Sequence, residues 1–136
     1  MVPPDSRYAR AVRTGIDAAR ARPGAGEFDA VVDLLHAEFG AYHWVHVLPN
    51  AALLAAALTH ADGDFTASIC RTVSGGWDTD SNGATAGSVA GLLAGSPEAI
   101  PRRWTAPLKN RLATSVAGLD GIGFDELATL TLEASA

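Results

Sequence analysis

Apolar residues recur at every third or fourth position along most of the chain, and β-branched residues never build an alternating run of strand length. This spacing is typical of amphipathic helices, because a half-buried strand places apolar residues at every second position. Alanine, the strongest helix former, makes up about a fifth of the residues. The pattern therefore predicts an all-α protein.

Capping residues and glycine or proline breaks divide the pattern into six or seven helices. They are a helix capped by Asp5 and Ser6 with Tyr8, Val12, Ile16 and Ala19 on one face, a helix from about Glu27 to Phe39, a helix from Asn50 to His60, a helix capped by Asp64 that runs to Val73, a helix from Asn82 to Ala94 ended by Gly95, and one or two more, the last from Asp125 to Ala134. The helix from Asn50 has no polar face, so we expect it to be buried. Gly40 is expected to end the preceding helix in the left-handed conformation.

Length and composition fit one compact domain. The 136 residues are 48% hydrophobic, which is enough for a core without disulfides or metal. We find no internal repeat, no low-complexity linker and no change of composition along the chain. The prediction is a single all-α unit over residues 1–136, with Trp44 and Trp104 as core residues.

Charge and cysteine content exclude several classes of partner. Ten basic and fifteen acidic residues give a net charge of −5, so no broad positive field attracts nucleic acid. The longest apolar run, Ala51 to Leu58, is too short to cross a bilayer. Cys70 is the only cysteine, so no intramolecular disulfide can form, and we expect this thiol to be buried. These features favour a cytoplasmic protein.

One segment, Gly75 to Gly83, concentrates residues suited to metal binding. Asp78 and Asp80 are followed by the hydroxyl of Ser81, and Mg²⁺, Mn²⁺ and Ca²⁺ all prefer such hard oxygen donors. The two glycines that open the segment let a ligand approach the backbone, since they carry no Cβ. The segment is therefore a candidate site for a hard divalent cation.

Two other roles for these carboxylates stay open. Aspartate is a common helix N-cap, so Asp78 and Asp80 could simply start the next helix. The residues from Asp78 to Gly83 also match the opening of an EF-hand calcium loop, D-x-[DN]-x-[DN]-G. That loop requires a bidentate carboxylate at its twelfth position, which is Val89 here. A calcium-binding helical module is therefore an alternative that lacks its closing ligand.

Glycine recurs at every fourth position of the helix after this segment, at Gly83, Gly87, Gly91 and Gly95. An interior glycine costs about 0.8–1 kcal/mol of helix stability relative to alanine. We therefore expect another element to pack closely against this face.

Histidines offer a weaker candidate site. His43 and His46 could share a helix face and a metal, but no third ligand clusters with them, which favours aromatic packing and hydrogen bonding. His36 and His60 lie near the ends of predicted helices, where we expect a surface role.

Several of these stretches together resemble the ADP-ribosylglycohydrolase family. They are His43 to His46, Asn50 to Ala52, Gly63 to Phe65 and above all GGWDTDSNGATAGSVAGLLAG from Gly75 to Gly95, and Trp104 to Leu108 and Leu127 to Leu132 are similar to the family's C-terminal end. The resemblance implies an orthogonal helical bundle around two Mg²⁺ (or Mn²⁺) ions. These ions hold the ribose of an ADP-ribosyl group while the glycosidic bond at its anomeric carbon is hydrolysed.

The resemblance also assigns residues. Asp78, Asp80 and Ser81 match a metal-binding segment of the family, in which Asp80 would bridge the two ions. Gly75 and Gly76 match the loop that lies against the substrate, and Trp77 stands where several branches of the family pass directly from glycine to aspartate. ADP-ribose or a related ribosyl nucleotide is the implied ligand.

Family members carry a second metal-binding segment in an N-terminal half, with a Thr-Asp-Asp signature and an acidic residue that acts on water. This chain contains no Asp-Asp pair. We therefore expect it to correspond to the C-terminal half alone, with the general acid or base outside it and with self-association or a complementary N-terminal chain. The alternative is an inactive family member that binds nucleotide or metal or oligomerises.

Overall fold

A computed structural model describes residues 2–135 of the chain. Within these residues all regular structure is helical, which confirms the predicted all-α class. The chain forms two compact units that divide between Ala99 and Ile100, where the sequence pattern predicts one unit and shows no linker.

The first unit contains five α-helices. They are α1 (Arg7–Ala21), α2 (Phe28–Phe39), α3 (Val47–Ala61), α4 (Phe65–Ser74) and α5 (Thr79–Ala94), followed by a 3-10 turn at Pro97–Ala99. Ser6 caps α1, and Asp64 caps α4 by accepting a hydrogen bond of 2.6 Å from the Ala67 amide, as predicted. Helix α3 begins before its predicted start because the Nδ1 atom of His46 caps it, accepting from the Leu48 amide at 3.2 Å.

Helix α3 is the central element of this unit. It contacts α1, α2, α4 and α5, and none of its residues from Leu48 to Ala61 is exposed. The prediction that this helix is buried is therefore confirmed. The core around it consists of Ala11, Ala19, Phe28, Val31, Leu35, Phe39, Leu48, Ala52, Leu53, Ala56 and Ala57.

Helices α1 and α3 approach each other at backbone distance. The buried face of α1 is Ala11, Gly15 and Ala19, three small residues at helical spacing. A Cβ atom at Gly15 would collide with the carbonyl oxygen of Ala52 and lie 3.1 Å from the Ala56 nitrogen. Of the larger side chains on the predicted face of α1, Val12 and Ile16 are half-buried beside this contact and Tyr8 is 40% exposed.

Three local predictions for this unit are wrong. Gly40 has φ −63° and is right-handed, because its amide donates to the His36 carbonyl and adds another helical bond to the end of α2. Trp44 is 54% exposed, since it lies in the loop before α3 and not on a core-facing helix. Cys70 is exposed, because Ser68 and Thr72 occupy the buried face of α4.

The glycine-rich helix α5 packs against α4, as its composition predicts. A Cβ atom at Gly83 would lie 2.9 Å from Cγ2 of Val73, so a larger residue there would require the Val73 side chain to shift. A Cβ at Gly87 would meet Ile69 at an ordinary 3.5 Å. Gly95 is left-handed at φ 75° and ends the helix in open space, so its role is termination and not packing.

The second unit contains a short helix α6 (Arg102–Thr105), a 3-10 turn (Ala106–Leu108) and α7 (Phe124–Ala134). Backbone hydrogen bonds of Leu112 with Gly121 and Ile122, at 2.8 and 2.9 Å, close the segment between them. Asn110 connects this segment to the start of α7. Its Oδ1 atom accepts from the Phe124 amide at 2.9 Å, and its Nδ2 atom donates to the Asp125 carboxylate at 2.7 Å.

The bond from Asn110, together with the Glu126 amide, lowers the pKa of Asp125 below its ordinary value. Because the folded-state pKa is the lower one, ionised Asp125 stabilises the fold above the ordinary Asp pKa of about 3.9, and this contribution is lost as the pH falls through the folded-state pKa. We expect Asn110→Gly, which keeps the left-handed backbone available, to raise the Asp125 pKa towards its ordinary value. An NMR titration of the Asp125 carboxyl carbon tests this, and an unchanged pKa would contradict the contact.

Candidate functional site

The segment from Gly75 to Asp78, named here the 75–78 loop, connects α4 to α5. Gly76 and Trp77 both have left-handed backbones, at φ 83° and 54°. This conformation suits glycine but costs a residue with a side chain about 1 kcal/mol or more, so contacts elsewhere must hold Trp77 in place. The half-buried indole of Trp77 packs against the core of the unit. The loop thereby turns sharply and places Asp78 directly before α5.

Gly75 lets this loop lie directly on α3. The residue is buried, and a Cβ atom there would collide with the side chain of Leu53. Its amide also donates to the Arg71 carbonyl at the end of α4. The structure therefore gives Gly75 a packing role beneath the loop, whereas Gly76 and Trp77 are half-buried.

Asn50 holds the other end of the loop through its side-chain amide. Its Oδ1 atom accepts from the Asp78 amide at 3.1 Å and from Nδ2 of Asn82 at 2.6 Å. Its Nδ2 atom donates to the carbonyls of Trp44 and His46 at 2.8 and 2.9 Å. With 9% of its surface exposed, Asn50 thus joins the loop before α3, the 75–78 loop and the first turns of α5.

His36 contacts the same loop from α2. Its Nε2 atom lies 2.9 Å from the Gly75 carbonyl oxygen. Its imidazole ring is stacked on the Trp77 indole, with 3.9 Å between centroids and 5° between planes. His36 is otherwise exposed to solvent, so its predicted surface position is confirmed. Its two contacts with the loop are a structural role beyond that prediction.

The predicted metal ligands lie where the loop meets α5. Asp78 occupies the N-cap position and is half-buried, while Asp80 and Ser81 are exposed on the first turn. Hydrogen bonds with the Asp78 carboxyl and from the amides of Asp80 and Ser81 lower the pKa of Asp80. The fold therefore brings the carboxyl groups of Asp78 and Asp80 together at the N-terminus of α5.

The structure also bears on the alternatives for these carboxylates. Asp78 occupies the N-cap position without a side-chain capping bond, and the Asp80 carboxylate accepts from amides of the first turn, so a helix-start role stays open beside metal binding. The EF-hand alternative is wrong, because such a loop is irregular over most of its twelve residues and α5 begins at Thr79 instead of the predicted Asn82.

The donor chemistry at this place fits a hard cation in part. Mg²⁺ is commonly held by one or two carboxylates, with water or substrate oxygens completing its shell, and Asp78, Asp80 and Ser81 supply two carboxylates and a hydroxyl. Over residues 2–135, no three His, Cys, Asp or Glu side chains cluster as a metal site. His43 and His46 instead pack beside Trp44 and Tyr42, at ring distances of 5.7 and 4.5 Å, which confirms the favoured interpretation of this pair.

Sequence patterns missed two residues that hold the site together. Asn50 is a polar residue inside an otherwise apolar helix, and this exception was the available signal that it satisfies buried polar groups. His36 carries no such signal. It occupies an exposed helical position, and its partners are residues of a loop 39 positions along the chain.

Comparison with known proteins gives one positive result. The family model described as ADP-ribosylglycohydrolase matches residues 2–134, which is nearly the whole chain. No curated protein and no solved structure matches the chain. Among the described helices, none combines the length and apolar character needed to cross a membrane. Correspondence to the C-terminal half of the family's domain stays a prediction. On the strength of the family match, this chain belongs to the ADP-ribosylglycohydrolase family.

Proposed function

We propose that this protein is a hydrolase of ADP-ribosyl groups in which Asp78, Asp80 and Ser81 bind Mg²⁺ or Mn²⁺ at the ribose. Membership of the family suggests hydrolase activity and an ADP-ribosylated substrate. The observation that carries the proposal is the pairing of the Asp78 and Asp80 carboxyl groups on an accessible helix start. Paired carboxylates repel each other when both are ionised, and a divalent cation between them removes that repulsion.

The chain's own residues would bind and orient the ligand. Because its pKa is lowered, Asp80 is ionised at neutral pH and would be available as a ligand of the cation. The outer side of Gly76 and Trp77 is the part of the loop we assign to the substrate, since Gly75 is buried.

A divalent cation in this position would polarise its oxygen ligands and lower the pKa of a bound water molecule. Asp78, Asp80 and Ser81 supply ligands for part of a two-ion centre. We propose that the remaining ligands and the general acid or base come from a complementary segment or chain. A catalytically inactive member would share the binding step and lack turnover.

Calorimetric titration with ADP-ribose, in Mg²⁺ or with the metal chelated, tests the proposal. We expect Mg²⁺-dependent binding to weaken about tenfold or more in Asp80→Asn, because one charged ligand is lost. Asp62→Asn is the matched control, because Asp62 is an exposed aspartate at the end of α3 that lies away from Asn50. Its backbone is left-handed, and asparagine also adopts this conformation. Binding that is indifferent to both chelation and Asp80→Asn would refute the proposal.

A further inference from the structure

We propose that His36 is a positioning residue that fixes the 75–78 loop so that Asp78 and Asp80 meet at the start of α5. The effect of His36 on ligand binding rests on the proposed function, whereas the ordering of the loop by His36 does not. His36 has two separate contacts with the loop, a hydrogen bond to the Gly75 carbonyl and a ring stack on Trp77. These contacts lie on either side of Gly76.

The loop needs such support because its own bonds are few. Gly76 and Trp77 are both left-handed, and the backbone hydrogen bonds of these two residues are a 3.3 Å bond from the Gly76 amide to the Val73 carbonyl and a 3.1 Å bond from the Thr79 amide to the Trp77 carbonyl. A left-handed residue other than glycine persists only where its surroundings hold it. The core beneath Trp77 and the imidazole stacked on it supply that constraint.

His36 and Asn50 hold opposite ends of the loop from different helices. His36 on α2 binds the Gly75 carbonyl, and Asn50 on α3 binds the Asp78 amide, so the two left-handed residues are fixed between them. Asn50 is buried and His36 is exposed. Replacement of His36 therefore removes one anchor of the loop and leaves the core intact, which separates positioning from folding.

The chemistry of the contact sets which variants are informative. A carbonyl oxygen only accepts, so Nε2 of His36 must carry the hydrogen, as it does in the Nε2–H tautomer and in the imidazolium form. His36→Gln keeps a side-chain N–H donor and loses the aromatic face. His36→Phe keeps an aromatic ring for Trp77 and loses the donor. His36→Ala removes both contacts.

We would measure amide hydrogen exchange of Asp78 in the ligand-free protein, ADP-ribose affinity in Mg²⁺, and the thermal unfolding midpoint. In His36→Ala we expect the Asp78 amide to exchange about tenfold faster and the affinity to fall about fivefold, with little change in the midpoint, because an exposed contact is lost. His36→Gln and His36→Phe should each recover part of both effects. His43→Ala, which replaces another exposed histidine beside a tryptophan, should match the wild type.

The outcomes distinguish failure of the positioning role of His36 from failure of the proposed function. Wild-type exchange of the Asp78 amide in His36→Ala would overturn the positioning role. Faster exchange with an unchanged ADP-ribose affinity would overturn it as well, because His36 would then order the loop without affecting ligand binding. Faster exchange in a protein whose wild type binds no ADP-ribose would support the ordering of the loop by His36 and overturn the proposed function.

Discussion

Gly15→Val is expected to lower the free energy of unfolding of the first unit by about 3 kcal/mol, at the upper end of the usual cost of overpacking. A β carbon at this position collides with the backbone carbonyl of Ala52, and a backbone cannot rotate away as a side chain can. The helices α1 and α3 would have to separate along a contact formed by small residues. Urea unfolding followed by circular dichroism measures the change.

Gly87→Ala is the matched control, because it replaces another glycine inside a helix of the same unit. There a β carbon meets Ile69 at an ordinary distance, and the gain in helix propensity is up to about 1 kcal/mol. We therefore expect opposite signs for the two substitutions. Equal effects at positions 15 and 87 would contradict the close approach of α1 and α3.

Asn50→Leu is expected to lower the free energy of unfolding of the same unit by about 3 kcal/mol and to abolish ligand binding at the candidate site. Leucine fills a similar volume but leaves the carbonyls of Trp44 and His46 without their side-chain donor. It also leaves the backbone amide of Asp78 and the side-chain Nδ2 group of Asn82 without their acceptor. Buried polar groups without partners each cost about 1–3 kcal/mol, which exceeds any gain from the apolar side chain.

Asn82→Ala provides the graded comparison in the same denaturation assay. It removes one bond to Asn50 while Oδ1 of Asn50 keeps the Asp78 amide as a donor, so we expect a loss of about 1 kcal/mol. If Asn50→Leu changed the stability by no more than Asn82→Ala, the four bonds of Asn50 would not act as a network.

Local signals predicted much of the fold. Asp64 and Ser6 cap their helices through bonds that span three residues, and a capping residue of this kind is visible in sequence. The start of α3 was misplaced because histidine is not a usual N-cap residue, and His46 performs that role here. The sequence pattern starts α5 too late, at Asn82, because Asp80 and Ser81 are residue types typical of helix caps, although acidic residues also favour the first helical turn.

The sequence predicts which residue types form the candidate site, but it does not predict how they are arranged in space. Asp78 and Asp80 lie only two positions apart in the sequence, so the pairing of their carboxyl groups follows from local structure. The contacts of His36 and Asn50 with their loop join residues 39 and 28 positions apart, and no helical period or cap encodes such distances. The left-handed backbone of Trp77 depends on those same contacts and was equally invisible.

The bonds of Asn50 also tie occupancy of the site to the stability of the whole first unit. The Asp78 amide is ordered only while α3 is in place, and α3 contacts every other α-helix of that unit. A ligand that requires this arrangement binds the folded state alone, so mass action makes it a stabiliser by about 2.7 kcal/mol at one hundred times its dissociation constant. Thermal denaturation can therefore screen for ligands of this site without any measurement of catalysis.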